Sequence, residues 1–260
     1  MKLSIIILTW NSSSHIKACL RSIFNHVVPG IPSCEIFVVD NGSQDNTTSI
    51  IKQFQEEFPG YIESILLLAN HGTTYSRNLA LKKATGEYVA IIDSDVILPR
   101  DAVAGLLEVL DSSPDIGLVV PRLTYKDGRF QKSTDAFPTL LTKLNRYFFL
   151  KRMECREDNT RPERRTVDYA ISAFWLMKQS IVDEVGLLDE NIFYAPEDVD
   201  YCLRIWKAGY KIVYVPSCVV IHDAQEISRG FRMNRAFLEH AKGLLYFFSK
   251  HRYWLRKPQI

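Results

Sequence analysis

Short apolar runs alternate with amphipathic stretches through the first half of the chain. The run at 3–8, Leu-Ser-Ile-Ile-Ile-Leu, has the length and β-branched content of a buried strand. Ser12, Ser13 and Ser14 then offer a cap to a segment with Ile16, Cys19, Leu20, Ile23 and Phe24 at helical spacing. Pro29, Gly30 and Pro32 break it. The alternation recurs, with strands predicted at 35–39, 62–68, 88–92 and 116–120 and helices at 47–58, 73–84 and 101–110. Such repetition predicts an α/β fold with a mainly parallel sheet and helices on both faces.

The pattern loosens over 122–165. Asp127-Gly128 predicts a hairpin turn, 138–149 a helix among loops, and Arg161, Arg164 and Arg165 cluster nearby. Regular signals return at 167–177, read as a strand pair at an edge, and at 180–185, a short helix. A helix over 196–208 starts with Pro196 at its first position and acids in its first turn. Val199, Cys202, Leu203 and Trp206 share one of its faces, Gly209 ends it, and 211–215 returns as a strand. From about 230, Phe237, Ala241, Leu244, Leu245 and Phe248 recur at helical spacing among basic residues, with Glu239 the only acid. This predicts either a basic amphipathic tail on an anionic membrane surface or a helix docked on the body. The expected layout is one domain in two halves, 1–121 and 122–228, followed by a tail at 229–260.

Composition narrows this only a little. The chain has 260 residues, 47% hydrophobic and 24% charged, as ordinary folded domains have. A net charge of +2 gives no sign of nucleic-acid binding. Five cysteines without a C-x-x-C pair suggest neither a disulfide framework nor a zinc site, and point to a reducing cytoplasm. No apolar stretch approaches the ~20 residues of a spanning helix. The run at 3–8 is too short for a signal peptide.

Candidate chemistry gathers at the carboxyl ends of the strands, where open α/β sheets bind ligands. The fourth strand runs into Asp93-Ser94-Asp95. Carboxylates there suit a hard cation, and a hard cation suits a diphosphate. Asp40 ends the second strand, and Thr9 and Asn11 follow the first, so these groups should line one pocket. A carboxylate there can accept a hydrogen bond from a base imide, although Asp40-Asn41-Gly42-Ser43 also reads as an Asx turn. Asn70-His71-Gly72 follows the third strand, and Arg77 stands in the next helix, with a guanidinium suited to phosphate or base oxygens. Transfer to a hydroxyl needs a base: Asp198 is the first candidate and Glu197 the second. Both also fit as helix N-terminal acids, and Asp200 is set to pair with Arg204 at i,i+4. His222 follows an apolar run and can join a cation that accepts mixed oxygen and nitrogen ligands.

These pieces stand in a recognisable order. They are Ser4-Ile5-Ile6-Ile7-Leu8-Thr9-Trp10-Asn11, Val38-Val39-Asp40-Asn41-Gly42-Ser43, Asn70-His71-Gly72 with Arg77-Asn78, and Gly86-Glu87-Tyr88 through Asp93-Ser94-Asp95. Then come Gly186-Leu187-Leu188-Asp189-Glu190, Glu197-Asp198-Val199-Asp200-Tyr201-Cys202-Leu203-Arg204, and Ala208-Gly209-Tyr210 to Val215-Pro216, ending at His222. The set resembles the family 2 glycosyltransferases of the GT-A fold, in the rhamnosyltransferase-like branch, over nearly all of the chain to about 223. The resemblance implies inverting transfer of a sugar from a nucleotide-diphosphate donor, UDP- or dTDP-linked, with Mn2+ or Mg2+. The acceptor would be a hydroxyl of a glycan or lipid-linked glycan in cell-surface polysaccharide synthesis, at the inner face of the cell membrane. It places the nucleotide sugar on Thr9, Asn11, Asp40, Asn70, Gly72, Arg77, Asp93 and Ser94. It places the metal on Asp95, Asp93 on the ribose or the metal, His222 on the metal or the diphosphate, and Asp198 on the acceptor hydroxyl as base; Glu197 stands second as base from its position alone.

Two stretches depart from the family pattern, Thr73-Thr74-Tyr75 and Ser172-Ala173-Phe174-Trp175. They leave donor sugar and acceptor open. A sugar nucleotidyltransferase would want a Gly-rich basic loop after the first strand, which Thr9-Trp10-Asn11-Ser12 does not supply. The absence of G-x-x-x-x-G-K-[ST] excludes a P-loop enzyme. A binding or scaffold protein that kept the fold is the alternative from another class, and the joint presence of Asp95, Asp198 and His222 argues against it.

Overall fold

The computed structural model describes residues 2–139, 142, 163–224 and 235–258. The helix expected at 138–149 and the cluster member Arg161 lie essentially outside them. The first half forms β1 (Leu3–Thr9), α1 (Ile16–His26), β2 (Cys34–Asp40), α2 (Thr47–Glu57), β3 (Ile62–Leu66), α3 (Thr73–Leu81) and β4 (Tyr88–Asp93). After it come β5 (Val96–Ile97), α4 (Ala102–Asp111), β6 (Ile116–Thr124), β7 (Phe130–Gln131) and β8 (Thr134–Asp135). The rest contributes β9 (Arg165–Thr166), β10 (Tyr169–Ala170), β11 (Phe174–Lys178), α5 (Gln179–Val185), α6 (Glu197–Lys207), β12 (Lys211–His222) and α7 (Arg235–His251).

One sheet runs β3-β2-β1-β4-β11-β6-β12-β5, with β7 beside β6 and β9 beside β12. β1, β2, β3 and β4 are mutually parallel, and β12 is parallel to β6. The two faces hold two apolar cores. Leu3, Ile5 and Ile7 enter one with α1, α2 and α4, while Ile6 points into the other with α3, α5, α6 and α7. That double burial explains why the strands read as nearly continuous apolar runs. Among the described residues Cys19, Cys34, Cys202 and Cys218 are buried free thiols.

The structure corrects several expectations. β11 is no edge strand: it runs antiparallel between β4 and β6, with Trp175 completely buried. Its unbroken apolar run is what a centre strand requires. β12 continues to His222, because the register shifts between Val215 and Val219 and absorbs Pro216. Pro196 caps α6 rather than opening it.

The tail helix α7 packs on the body. Phe247 and Phe248 are buried, and Leu244 joins the same core, whereas Leu245 points outward. Gly243 lies flat against the Ala195 carbonyl, and a Cβ there would overlap that oxygen. Asp200, fully buried on α6, accepts hydrogen bonds from Lys250 Nζ at 2.6 Å, His251 Nε2 at 2.8 Å and Arg204 Nε at 3.0 Å. Lys250 Nζ and Tyr246 Oη also donate to Asp189, at 2.7 and 2.9 Å. Leu244 and Phe248 of the apolar stripe thus serve the core. No helix of the described residues is long and apolar enough to cross a membrane.

Candidate active site

The site forms where the sheet order reverses. β1 is flanked by β2 on one side and β4 on the other, so successive crossovers leave in opposite directions and open a crevice at the strands' carboxyl ends. Register puts Thr9 opposite Asp40, and Leu8 opposite Asp93. Thr9 Oγ1 is buried there and makes no hydrogen bond, an acceptor and donor left over for a ligand.

The rim of the crevice is bound together by side chains. Asn11 sits in the left-handed region, φ 50°, which asparagine tolerates. Its backbone N–H donates to Ser43 Oγ at 2.8 Å, and its Oδ1 accepts from Gln44 N–H at 2.8 Å. Asp40 accepts from the Ser43 N–H at 2.9 Å and the Ser43 hydroxyl at 2.5 Å, an Asx turn. Ser94 donates to Ser12 Oγ at 2.9 Å and so ties the loop after β4 to the loop after β1. Asn41, in the sequence only one member of the turn Asp40-Asn41-Gly42-Ser43, is the hub of the rim. Its Oδ1 accepts from His71 N–H and Ser76 Oγ, both at 2.9 Å, and its Nδ2 donates to Asn70 Oδ1 at 3.0 Å and Gly72 O at 3.2 Å. Gly72 (φ 88°) leaves no room for a Cβ beside Phe193, whose carbonyl accepts from Thr73 N–H at 2.7 Å.

Asp93, Asp95 and His222 bring one ligand atom each within 4.8 Å of one another. His222 ends β12, which β5 joins to the Asp95 turn by pairing Val96 with His222. His222 Nε2 stands 3.3 Å from Asp95 Oδ1, and Asp95 Oδ1 is buried with no well-directed hydrogen bond. Two carboxylates, one imidazole and an orphaned buried oxygen fit a divalent cation such as Mn2+. On its far side His222 Nδ1 lies 2.8 Å from Oε1 of buried Gln131. Burial alone would raise Asp95, but His222 outweighs it and holds the carboxyl below its ordinary value.

Behind Asp93 lies Arg77, only 1% exposed. It does not line the open edge where the sequence reading puts it. One guanidinium nitrogen donates to Asp93 Oδ1 at 2.6 Å, and the other donates to Ser172 Oγ at 2.8 Å and stands 3.5 Å from Glu197 Oε1. Ser172 in turn donates to Glu197 Oε1 at 3.0 Å. Ser172 belongs to the second stretch that departs from the family pattern, yet nothing in the sequence marks it as Arg77's partner. Glu197 is therefore buried and engaged, while its neighbour Asp198 is partly exposed at the N-terminus of α6, its Oδ1 accepting from Val199 N–H at 2.8 Å.

A model of the family described as "Glycosyl transferase family 2" matches residues 4–186. The chain belongs to this family. It is similar to glycosyltransferase AglE of Haloferax volcanii, 23% identical across 91% of this chain and 73% of the relative. It is also similar to an N-acetylglucosaminyl-diphospho-decaprenol L-rhamnosyltransferase of Mycobacterium tuberculosis, 24% identical across 98% of this chain and 87% of that protein. Solved structures share the fold. GalNAc-T7 with UDP, GalNAc and Mn2+ superposes with a TM-score of 0.73 at 15% identity, covering 97% of this chain. The mannosyltransferase PcManGT of Pyrobaculum calidifontis, with GDP-Man and Mn2+, gives 0.66 at 20% identity, covering 98% of it. The chain spans 48% of the former structure and 65% of the latter. The mainly parallel α/β sheet is thus that of GT-A glycosyltransferases, and the chain is an enzyme of that class.

The buried carboxyl of this glycosyltransferase carries a pH signature. Burial, with the charge of Asp198, pushes Glu197 up from 4.5 to about 8, and Arg77 and Ser172 offset this only in part. Between those values the folded chain holds a proton that the unfolded chain has released. Stability therefore falls as pH rises through that window. Glu197→Gln removes the titration. Urea unfolding at pH 5 and pH 8 should show wild type losing stability between the two relative to Glu197→Gln, and parallel losses would refute the assignment.

Proposed function

We propose that the protein is an inverting, metal-dependent glycosyltransferase that uses a nucleotide-diphosphate sugar, UDP- or dTDP-linked. One observation carries the reading: the cation ligands Asp93, Asp95 and His222 meet at the switch point, and Arg77 ties Asp93 directly to the start of α6. Thr9, Asp40 and the rim held by Asn11, Asn41, Asn70 and Gly72 receive the nucleotide, and Ser94 braces the loop beside the diphosphate. The cation, Mn2+ or Mg2+, supplies positive charge to the departing diphosphate. On the opposite face of the sugar Asp198 takes the proton of the acceptor hydroxyl as its oxygen attacks the anomeric carbon. Asp198 suits this better than Glu197, which is buried and proton-holding near neutrality. The helix terminus favours a negative charge at Asp198.

The acceptor we propose is a glycan or lipid-linked glycan of the cell surface. Support comes from the mycobacterial relative, whose name specifies a diphospho-decaprenol-linked acceptor. The outer side of α7 and the segment after it adds physical support. Leu238, Leu245, Trp254 and Leu255 are exposed there beside Lys242, Arg252, Arg256 and Lys257. Apolar anchors among cations suit an anionic membrane face.

Asp198→Asn should lower turnover about 10²–10⁴-fold and leave UDP binding with Mn2+ intact, measured by radiolabelled sugar transfer and calorimetry. Undiminished turnover would sink the role of Asp198. For the membrane face, wild type should co-sediment with phosphatidylserine vesicles and Leu245→Glu with Leu255→Glu should not. Equal sedimentation of both would reject it.

A further inference from the structure

Gln131 is buried, uncharged and far in sequence from any residue with a chemical role, yet its carbonyl faces the ring of a metal ligand. We infer that Gln131 is a positioning residue: it fixes the tautomer of His222 and so aims the Nε2 lone pair at the cation. The inference rests on the metal-dependent reading above and deepens it.

A neutral imidazole carries one N–H, and the hydrogen bond made by one ring nitrogen decides what the other presents. His222 Nδ1 lies 2.8 Å from Gln131 Oε1, which can only accept. Asp95 Oδ1 only accepts as well, so the metal-free ring can carry a proton on each nitrogen: Gln131 keeps the one on Nδ1, and a cation displaces the one on Nε2. Nε2 is then left with its lone pair, and Nε2 is the nitrogen 3.3 Å from Asp95 Oδ1 in the carboxylate cluster. The other tautomer would point an N–H at the cation and offer no ligand. Donation from Nδ1 to a carbonyl also makes Nε2 the better donor to a metal.

The surroundings hold this geometry. Gln131 lies on β7 and pairs with Leu123 of β6, while Val220 of β12 pairs with Leu123 from the other side. The hairpin leading into β7 is closed by Tyr125 N–H donating to Arg129 O at 2.8 Å, with Gly128 at φ 84°. The next residue, Phe130, lies under the Arg122 guanidinium, 4.7 Å from its ring centre. Both Gln131 and His222 are buried, so bulk water competes poorly for Nδ1.

Two substitutions separate this role from simple packing. Gln131→Met keeps the volume and loses the acceptor, whereas Gln131→Glu keeps an acceptor. Mn2+ affinity in the presence of UDP, read by the EPR signal of free Mn2+, should fall about 10–100-fold in Gln131→Met and hold in Gln131→Glu. Long-range ¹H–¹⁵N correlation on histidine-labelled, metal-free wild type, assigned with His222→Gln, should show Nδ1 protonated at His222. An unprotonated Nδ1 overturns the inference, even if Gln131→Met does not fold. So does a folded Gln131→Met that binds Mn2+ as wild type does, which would leave the metal-dependent reading standing. Wild type that binds no Mn2+ with UDP would instead bring down that reading, and with it the purpose assigned to Gln131.

Discussion

Arg77 is a cation almost without access to water, and the site is arranged around that fact. A buried guanidinium must be paired, and removing one partner of such a pair costs about 3–5 kcal/mol. Its partners here are Asp93, at the end of β4, and the Ser172–Glu197 pair, just before β11 and at the start of α6. A single planar group thus fixes the distance between the cation ligands and the helix that carries Asp198. A lysine could not make both arms, because it lacks the rigid fork. Pairing alone does not make such a charge a net source of stability. Its contribution is to set one geometry.

A second buried charge holds α6 from behind. Asp200, two residues beyond Asp198, is locked by Arg204 from its own helix and by Lys250 and His251 from α7. Burial would raise its carboxyl, but His251, Lys250 and Arg204 together hold it below its ordinary value. The catalytic helix is therefore gripped on both sides, by Arg77 toward the donor crevice and by α7 toward the far face. The close fit of Gly243 against Ala195 lets α7 approach near enough for this. Rigid support of this kind is what positions a base against a hydroxyl.

Much of the fold was legible because its signals are local. β1 and α1 follow from a β-branched run and from apolar residues three and four apart. The sequence does not place β11, because four apolar residues in a row look alike at an edge and in the centre. The antiparallel pairing that decides the matter is with β4, whose partner residues lie 82 to 90 positions earlier, Phe174 opposite Ile92 and Lys178 opposite Tyr88. Pro216 hid the second half of β12, since a proline reads as a stop unless a shift in register absorbs it. In α7, Leu245 and Phe247 are equally apolar, and only the partner surface determines which turns inward. At the site, the meeting of Asp93, Asp95 and His222 could be anticipated, because Asp93 and His222 end strands and Asp95 stands in the turn right after Asp93. The partners of Arg77 could not, since Ser172 is an ordinary serine. Nor could the roles of Asn41 and Gln131, which depend on which loops and strands the fold sets beside them.

The central claim is that nucleotide and cation share one site at the end of β4. Calorimetric titration of UDP into wild type and Asp95→Asn, with and without Mn2+, tests it most directly. The account predicts that Mn2+ strengthens UDP binding to wild type at least tenfold, about 1.4 kcal/mol, and that Asp95→Asn loses this gain. UDP binding of equal strength with and without Mn2+, or a gain unchanged in Asp95→Asn, would contradict it.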